Sequence, residues 1–425
     1  MSLFIQSEAK LHIRSYKYRM YPTKDQQQFL DRNFGATRFI WNSLVANFNN
    51  YDTDSFIKNM TEVEIKANNP WLKEVISYAL QQKRMDFFEF MKQYFNKKRK
   101  KKLGGPKFKK KGVANDSFRI PGQQIGYSKA FNFERGTVKL TKIKKPIKVK
   151  FDRQFKGQVR SVTISKNKID EYYISVCVEE EIEQLPKTHR DVGIDLGLND
   201  LLILSDGTKF HNPKLFRKTQ AELKAAQKHL ARKVKGSNSY NKQKKKVAKI
   251  YRKMVRQREW YLHNISLWLV KNFDTILLED LNVSGMMKNR CLAKSIADAC
   301  WSTLVGMISY KAKWYGKEVF RIGRFFPSSK LCSSCGHRYE GEMGMGVREW
   351  TCGSCGTHHD RDLNAAKNIY QEGMKKFHGL ISEELPDYNR GETIRPKDFL
   401  KGNLEASFNE AISNPIDFIE IYRTA

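Results

Sequence analysis

The 425-residue chain reads as a multidomain α/β protein, and three observations carry that reading. Hydrophobic spacing changes from helical to two-residue alternation near Ser117, so a helical block precedes a β-rich one. Past "LPKTHRD", short apolar strands come first and then alternate with long helical stretches, the order of a mixed-sheet α/β core. Late in that core, Cys332-x2-Cys335 and Cys352-x2-Cys355 are separated by sixteen residues, a spacing that fits a four-cysteine zinc ribbon. A chain of this length holds two to four domains, and 40% apolar residues with 12% aromatics are enough to fill their cores.

The elements follow in order. "YPTKDQQQFLDRNFGATRFIWNSLV" opens with a possible capping box of Thr23 and Gln26, then sets Leu30, Phe34, Thr37, Trp41 and Leu44 at helical spacing. A second helix over "ISYALQQKRMDFFEFMKQYF" runs into "NKKRKKKLGGPKFKKKG", where ten of the fifteen residues from Lys97 to Lys111 are basic and Gly104, Gly105 and Pro106 break the helix. Such a run suits a solvated loop or a nuclear address as well as a phosphate grip. Phe108 among the lysines suggests an anchored loop, and the reading favoured is a surface in which Lys107, Lys109, Lys110 and Lys111 meet phosphates. From Ser117 to Glu181, Ile147, Val149 and Phe151 alternate with Lys148 and Lys150, and Tyr172, Ile174, Val176 and Val178 alternate further on, with "SKNKIDE" as a turn. This predicts a small antiparallel barrel or sheet with a basic solvent face. Then come a buried strand at "VGIDLG", two strands hinged at Asp206 and Gly207, and helices over 218–234 and 241–272. "DTILLEDL" is a strand, "SIADACWSTLVGMISYKAKWYG" one helix and "KEVFRIG" a further strand.

Charge narrows the function. With 78 Lys+Arg against 45 Asp+Glu the formal net charge is +33, the footprint of a polyphosphate partner. Ribosomal and membrane-surface proteins share it, so charge nominates nucleic acid without naming an activity. No N-terminal signal pattern and no apolar run long enough to cross a bilayer is present, so an intracellular protein is expected. Cys177, Cys291 and Cys300 lie in apolar periodic segments and are expected as small buried hydrophobes, not disulfides.

Three acids stand out. Asp195 lies within the apolar "VGIDLG", Glu279 ends "TILLED", and Asp362 enters a helix at "HDRDLNAAKNI". Any one alone reads more readily as a strand-end or capping carboxylate. Three in one basic sheet domain change that reading, because converging carboxylates can hold two divalent cations that stabilise the attacking and leaving oxygens of a phosphodiester. Mg²⁺ suits all-oxygen ligands. The four ribbon cysteines complete a tetrahedron, so their zinc has no open position and is structural; His337, His358 and His359 then lie beside it or at the surface. A ribbon set directly before the last acidic motif would hold nucleic acid where the carboxylates act.

These motifs resemble those of the TnpB proteins of bacterial and archaeal insertion sequences, RNA-guided nucleases regarded as ancestors of the type V CRISPR effectors. The resemblance covers most of the chain: "YKYRMYPTKDQQQFLDRNFGATRFIWN" looks like the family's opening, and "ALQQKRMDFFEFMKQYF" with "GGPKFKKK" like its helical recognition insert. "GIDLG", "LLEDL" and "HDRDLNAAKNI" look like its three nuclease motifs, with "NRCLAKSIADACWSTLVGMISYKAKWYGK" and "FFPSSKLCSSCG" between the last two. It implies an RNase H-like (RuvC) mixed-sheet core with an inserted zinc ribbon, preceded by an N-terminal β-barrel (wedge) module carrying the helical insert. The expected boundaries are wedge 1–22 and 113–188, helical insert 23–112, RuvC 189–328 and 358–378, ribbon 329–357, and an acidic tail 379–425 in which only "GETIRP" looks like the family's end.

The resemblance makes Asp195, Glu279 and Asp362 the catalytic acids and Asp360 a neighbour, and it matches Gln81 to a glutamine that reads the target-adjacent motif. The partners it implies are a guide RNA from the transposon end and target double-stranded DNA; no membrane is expected, and a monomer is favoured with the oligomeric state left open. A cytoplasmic, nucleoid-associated protein of a prokaryote is expected; a eukaryotic relative would use "KKRKKK" as a nuclear signal. The expected activity is guided cleavage of DNA beside a short motif. The alternatives are a guided repressor that does not cut and a DNA transposase.

Overall fold

The computed structural model describes residues 9–48, 62–96, 98, 103–112, 116–125, 130–344 and 346–382. Lys97 and 99–102 of the lysine run and 383–425 of the expected acidic tail lie outside the described residues. The chain divides into two compact units, one over Leu11–Glu181 and one from Ile182 onward.

In the first unit, β1 (Ala9–Tyr21) is followed by α1 (Lys24–Phe48), α2 (Glu62–Ala67), α3 (Ser77–Phe95) and β2 to β7 (Asp116–Pro121, Phe131–Asn132, Thr137–Val138, Ile147–Lys150, Gln158–Lys166, Tyr172–Glu183). The strands form one sheet in the order β2-β6-β7-β1-β5-β4-β3. The two-residue alternation is realised, with Ile147 and Val149 buried and Lys148 and Lys150 exposed. The capping box is present: the Thr23 amide donates to Gln26 Oε1 at 3.0 Å and the Gln26 amide reaches Thr23 Oγ1 at 3.5 Å. All five residues spaced along α1 are buried. The solvent face is mixed where a basic one was expected. Arg160 pairs with Glu179, Lys166 with Asp31, and Glu181 and Glu183 are exposed.

The lysine loop is held differently from expectation. Phe108 is 55% exposed and anchors nothing. The loop is fastened through its backbone instead: Trp41 Nε1 donates to the Lys107 carbonyl, and the Asn42 amide pairs with both the N–H and the C=O of Lys109, all at 2.8–3.0 Å. Lys109 Nζ sits 3.8 Å over the Trp41 ring. Loss of hydration and the nearby charge of Lys83 lower its pKa to about 8.

The second unit is built on a five-stranded mixed sheet, β8 (Asp191–Asp195), β9 (Asp200–Leu204), β10 (Lys209–His211), β11 (Thr275–Glu279) and β12 (Glu318–Ile322), in the order β10-β9-β8-β11-β12. β8, β11 and β12 run parallel, and β9 and β10 extend the sheet antiparallel. Its helices are α4 (Leu215–Ala231), α5 (Asn238–Asn272), α6 (Val283–Met286), α7 (Ala293–Ala299), α8 (Trp301–Tyr315) and α9 (Arg361–Ser382). The single helix expected from Ser295 onward is broken at Cys300, whose φ of 52° is left-handed and separates α7 from α8. Cys291 is exposed, not buried, and Cys177 and Cys300 are half-buried; no cysteine among the described residues is in a disulfide.

Gly193 explains why a glycine sits in the apolar β8. A Cβ there would lie 2.4 Å from the Ala366 carbonyl oxygen and 2.5 Å from the Tyr370 nitrogen, so only glycine lets α9 lie this close to the strand.

Candidate active site and metal centre

The ribbon is built from two matched turns. In each, a cysteine amide donates to a carbonyl five residues on (Cys332 to His337, Cys352 to Thr357, both 2.9 Å), and a glycine four residues on, Gly336 or Gly356, adopts a positive φ of 75° or 69°. The four sulfurs all lie within 4.8 Å of one another. The Cys332–Cys355 and Cys335–Cys352 separations are 3.6 and 3.7 Å, against an edge of about 3.8 Å for a tetrahedron with metal–sulfur bonds of about 2.3 Å. The donor set therefore fits a tetrahedral soft-ligand ion. His359 is buried against Trp350, ring centroids 4.7 Å apart, and its Nε2 lies 3.0 Å from Cys332 Sγ. Burial and nearby cationic groups, Lys367 first, lower its pKa, which favours a neutral ring beside the sulfur.

The same segment holds the acid-bearing helix. β13 (Glu349–Thr351) pairs with β14 (His358–Asp360), which runs straight into α9. Asn364 and Asn368, four residues apart on one helical face and both buried, reach back to the first cysteine turn. Asn364 accepts from the Ser333 amide at 2.9 Å and donates to the Leu331 carbonyl at 2.7 Å; Asn368 donates to the carbonyls of Ser328 and Leu331, both at 2.7 Å. Sequence reasoning assigned these asparagines no role, although two buried amides at i and i+4 in "LNAAKNI" are a legible sign of a backbone clamp.

Asp195 and Glu279 end neighbouring parallel strands, in line with the Ile194–Leu278 pair of the register. Burial first, then the negative charges of Glu279 and Asp362, push the Asp195 carboxyl up to about 8. Burial also raises Glu279, opposed by a hydrogen bond from Ser328. Asp362, in the first turn of α9, meets Arg348 Nη1 at 3.3 Å. Asp360 is differently engaged: it accepts from the amides of Asp362 and Leu363 at 3.0 Å, capping the helix, and pairs with Lys209 Nζ at 2.7 Å. Burial opposes ionisation of Asp360, but the bond and charge of Lys209 together with the amides of Leu363 and Asp362 outweigh it, and its pKa is lowered. Among the described residues only the four cysteines form a group whose ligand atoms are all mutually within 4.8 Å. Asp195 is electrostatically coupled to both Glu279 and Asp362.

Asp195 and Asp362 line a cleft of about 370 Å³ together with Lys214, Arg217, Arg348 and Arg361. Carboxylates able to take cations thus face side chains able to take phosphate oxygens. Of the other residues singled out from the sequence, Gln81 is exposed on α3, and Lys107, Lys109, Lys110 and Lys111 are exposed on the fastened loop.

A family model described as "Probable transposase" matches residues 175–290, a Cas12f1-like TNB domain model 301–369, and a helix-turn-helix model 12–52. The last falls on β1 and the single long helix α1. A Streptomyces pristinaespiralis protein named "Putative RNA-guided DNA endonuclease" is 35% identical over 371 residues, covering 85% of this chain and 89% of that protein. The chain belongs to the TnpB family. Another relative, Escherichia coli InsQ, bears the same designation and is 30% identical over 391 residues, covering 85% of this chain and 92% of InsQ. A TnpB-like protein of Acanthamoeba polyphaga mimivirus is 23% identical over 408 residues, covering 86% of this chain and 74% of its own. The Cas12f1-like match in this TnpB chain spans the cysteine ribbon and the start of α9, the two parts joined by Asn364 and Asn368. No helix among the described residues is long and apolar enough to cross a membrane.

Proposed function

We propose that this TnpB-family protein is an RNA-guided DNA endonuclease of a transposable element, cutting guide-matched duplex DNA beside a short motif with Asp195, Glu279 and Asp362. The observation that carries this is Asp195: an acid at a strand end, pushed up to about 8 first by loss of hydration and then by two other carboxylates, is costly to keep unless cations join it. Bound there, divalent cations such as a Mg²⁺ pair would supply Lewis-acid polarisation of the phosphodiester and an activated water. The chain's own part is positional. Two parallel strands fix Asp195 and Glu279, Ser328 orients Glu279, and the Asp360 cap fixes the turn that carries Asp362. Arg348 and Arg361 lie where a scissile phosphate would bring its charge.

The sheet order and the third acid on a helix packed over the sheet support an RNase H-like (RuvC) core over 189–328 and 358–378, interrupted by a ribbon at 329–357 that holds structural Zn²⁺. The seven-stranded sheet with α1–α3 supports a wedge module, 1–22 and 113–188, as a barrel bearing the recognition insert 23–112. Net charge of +33 and the relatives' names support a guide RNA and target DNA as partners, with Gln81 reading the adjacent motif and Lys107, Lys109, Lys110 and Lys111 gripping phosphates. We place the protein as a monomer on the nucleoid, in the cytoplasm.

The test is cleavage of a plasmid carrying the guide-matched sequence, the guide being found by sequencing copurifying RNA. Wild type should cut with Mg²⁺ and not with EDTA, and Asp195→Ala should bind but not cut. Wild type that binds and never cuts would favour the repressor reading; cutting by Asp195→Ala would exclude this site as the nuclease centre.

A further inference from the structure

We infer that Phe325 is a stacking platform for a nucleobase of the DNA strand being cut, a subsite that rests on the nuclease reading above. β12 ends at Ile322, in register with Glu279, so the chain leaves the sheet beside a proposed metal ligand. It turns at once: the Phe326 amide donates to the Gly323 carbonyl at 3.1 Å, which sets Arg324 and Phe325 at the two corners.

The turn is fastened on both sides. Arg324 donates from Nε to the Asp280 carbonyl at 3.2 Å and from Nη2 to the Asp280 carboxylate at 2.5 Å, and Asp280 directly follows Glu279. On the other side Phe326 packs against Leu277, Ile322 and Ile369, and Ser328 donates to Glu279. Between these anchors Phe325 is 94% exposed, more than any other large apolar side chain among the described residues.

A ring held in water on a fastened turn contributes nothing to the core that its neighbour Phe326 joins. A lone ring is also too small a patch for a protein partner, whose footprint would need many such contacts. Arg324, which precedes it, is paired with Asp280, and exposed Arg321 lies near the end of β12. Cations that follow a backbone beside an aromatic face that takes a base are the composition of a single-strand platform, and a π-face accepts any base.

The experiment uses the full chain carrying Asp195→Ala so that substrate persists, and a single-stranded DNA oligonucleotide with one 5-iodouracil, with the same sequence as RNA for comparison. Irradiation should crosslink Phe325 to the DNA. Phe325→Ala and Phe325→Leu should weaken DNA binding by roughly five- to a hundred-fold, the range for losing one base–aromatic stack, while Phe325→Trp binds like Phe325. Leucine keeps the apolar bulk without the π-face, and an unchanged melting temperature in all three variants would show that the fold is intact. Equal affinities across the series without a crosslink at Phe325, or a crosslink confined to the RNA, would overturn the inference. Binding needs no cleavage, so that failure is distinct from failure of the nuclease reading, which appears as cutting by the Asp195→Ala chain.

Discussion

Replacing Asp195 by asparagine should stabilise the magnesium-free protein while abolishing cleavage. Burial and the charges of Glu279 and Asp362 raise Asp195 from 3.8 to about 8. The folded chain therefore keeps a proton that the unfolded chain has released, and stability falls as pH rises between about 4 and 8, then levels off. At pH 7 the unfolded value lies about three pH units below the solution. At 1.36 kcal/mol per unit this is an upper figure of about 4 kcal/mol, and water entering the cleft reduces it to about 2. Asparagine has no charge to repel. At about 2–4 °C per kcal/mol for a unit of this size, its melting temperature at pH 7 should exceed wild type by roughly 4–16 °C, with the gain vanishing near pH 4. The assay is thermal unfolding of both proteins from pH 4 to 8 without Mg²⁺ and with the ribbon metal retained. Wild type should recover stability on adding Mg²⁺, and the variant should not. A gain that does not depend on pH, or a lower melting temperature for the variant at pH 7, would refute the coupling of these carboxylates.

Four further outcomes are expected. Purified protein should hold about one zinc per chain by the four-thiolate geometry; Cys352→Ser should lose it, and hydrogen exchange at the start of α9 should rise because the Asn364 and Asn368 clamp grips the cysteine turn, so unchanged protection would separate ribbon from helix. Asp360→Ala should cost about 1 kcal/mol of stability through the lost helix cap but leave far more cleavage than Asp362→Ala; equal loss of cleavage would make Asp360 a ligand. Lys107, Lys110 and Lys111 changed together to glutamine should flatten the salt dependence of nucleic-acid binding, the logarithmic slope falling by about one for each phosphate that is no longer neutralised. Lys109→Gln should instead raise hydrogen exchange across the loop, since its ammonium lies over Trp41; the opposite pattern would reverse the two roles.

By itself the sequence singled out the candidate residues that the structure gathers around the ribbon and the cleft. Cysteine spacing named all four ribbon thiols, because a ligand turn is local and its glycines follow within the same few residues. Apolar runs ending in an acid marked Asp195 and Glu279, because a strand alternates and buries locally whatever it later pairs with. What the sequence left open were facts of long-range packing. Adjacency of Asp195 and Glu279 depends on β8 and β11 pairing in parallel across some eighty intervening residues. The distinct roles of Asp360 and Asp362, two residues apart, rest on Lys209 arriving from β10 and Arg348 from the ribbon. Phe108 shows the same limit: a phenylalanine among basic residues reads as an anchor, yet it is exposed, because Trp41 and Asn42 already hold the loop. Side-chain burial is decided by which surface a segment meets, and only the tertiary structure brings that surface to it.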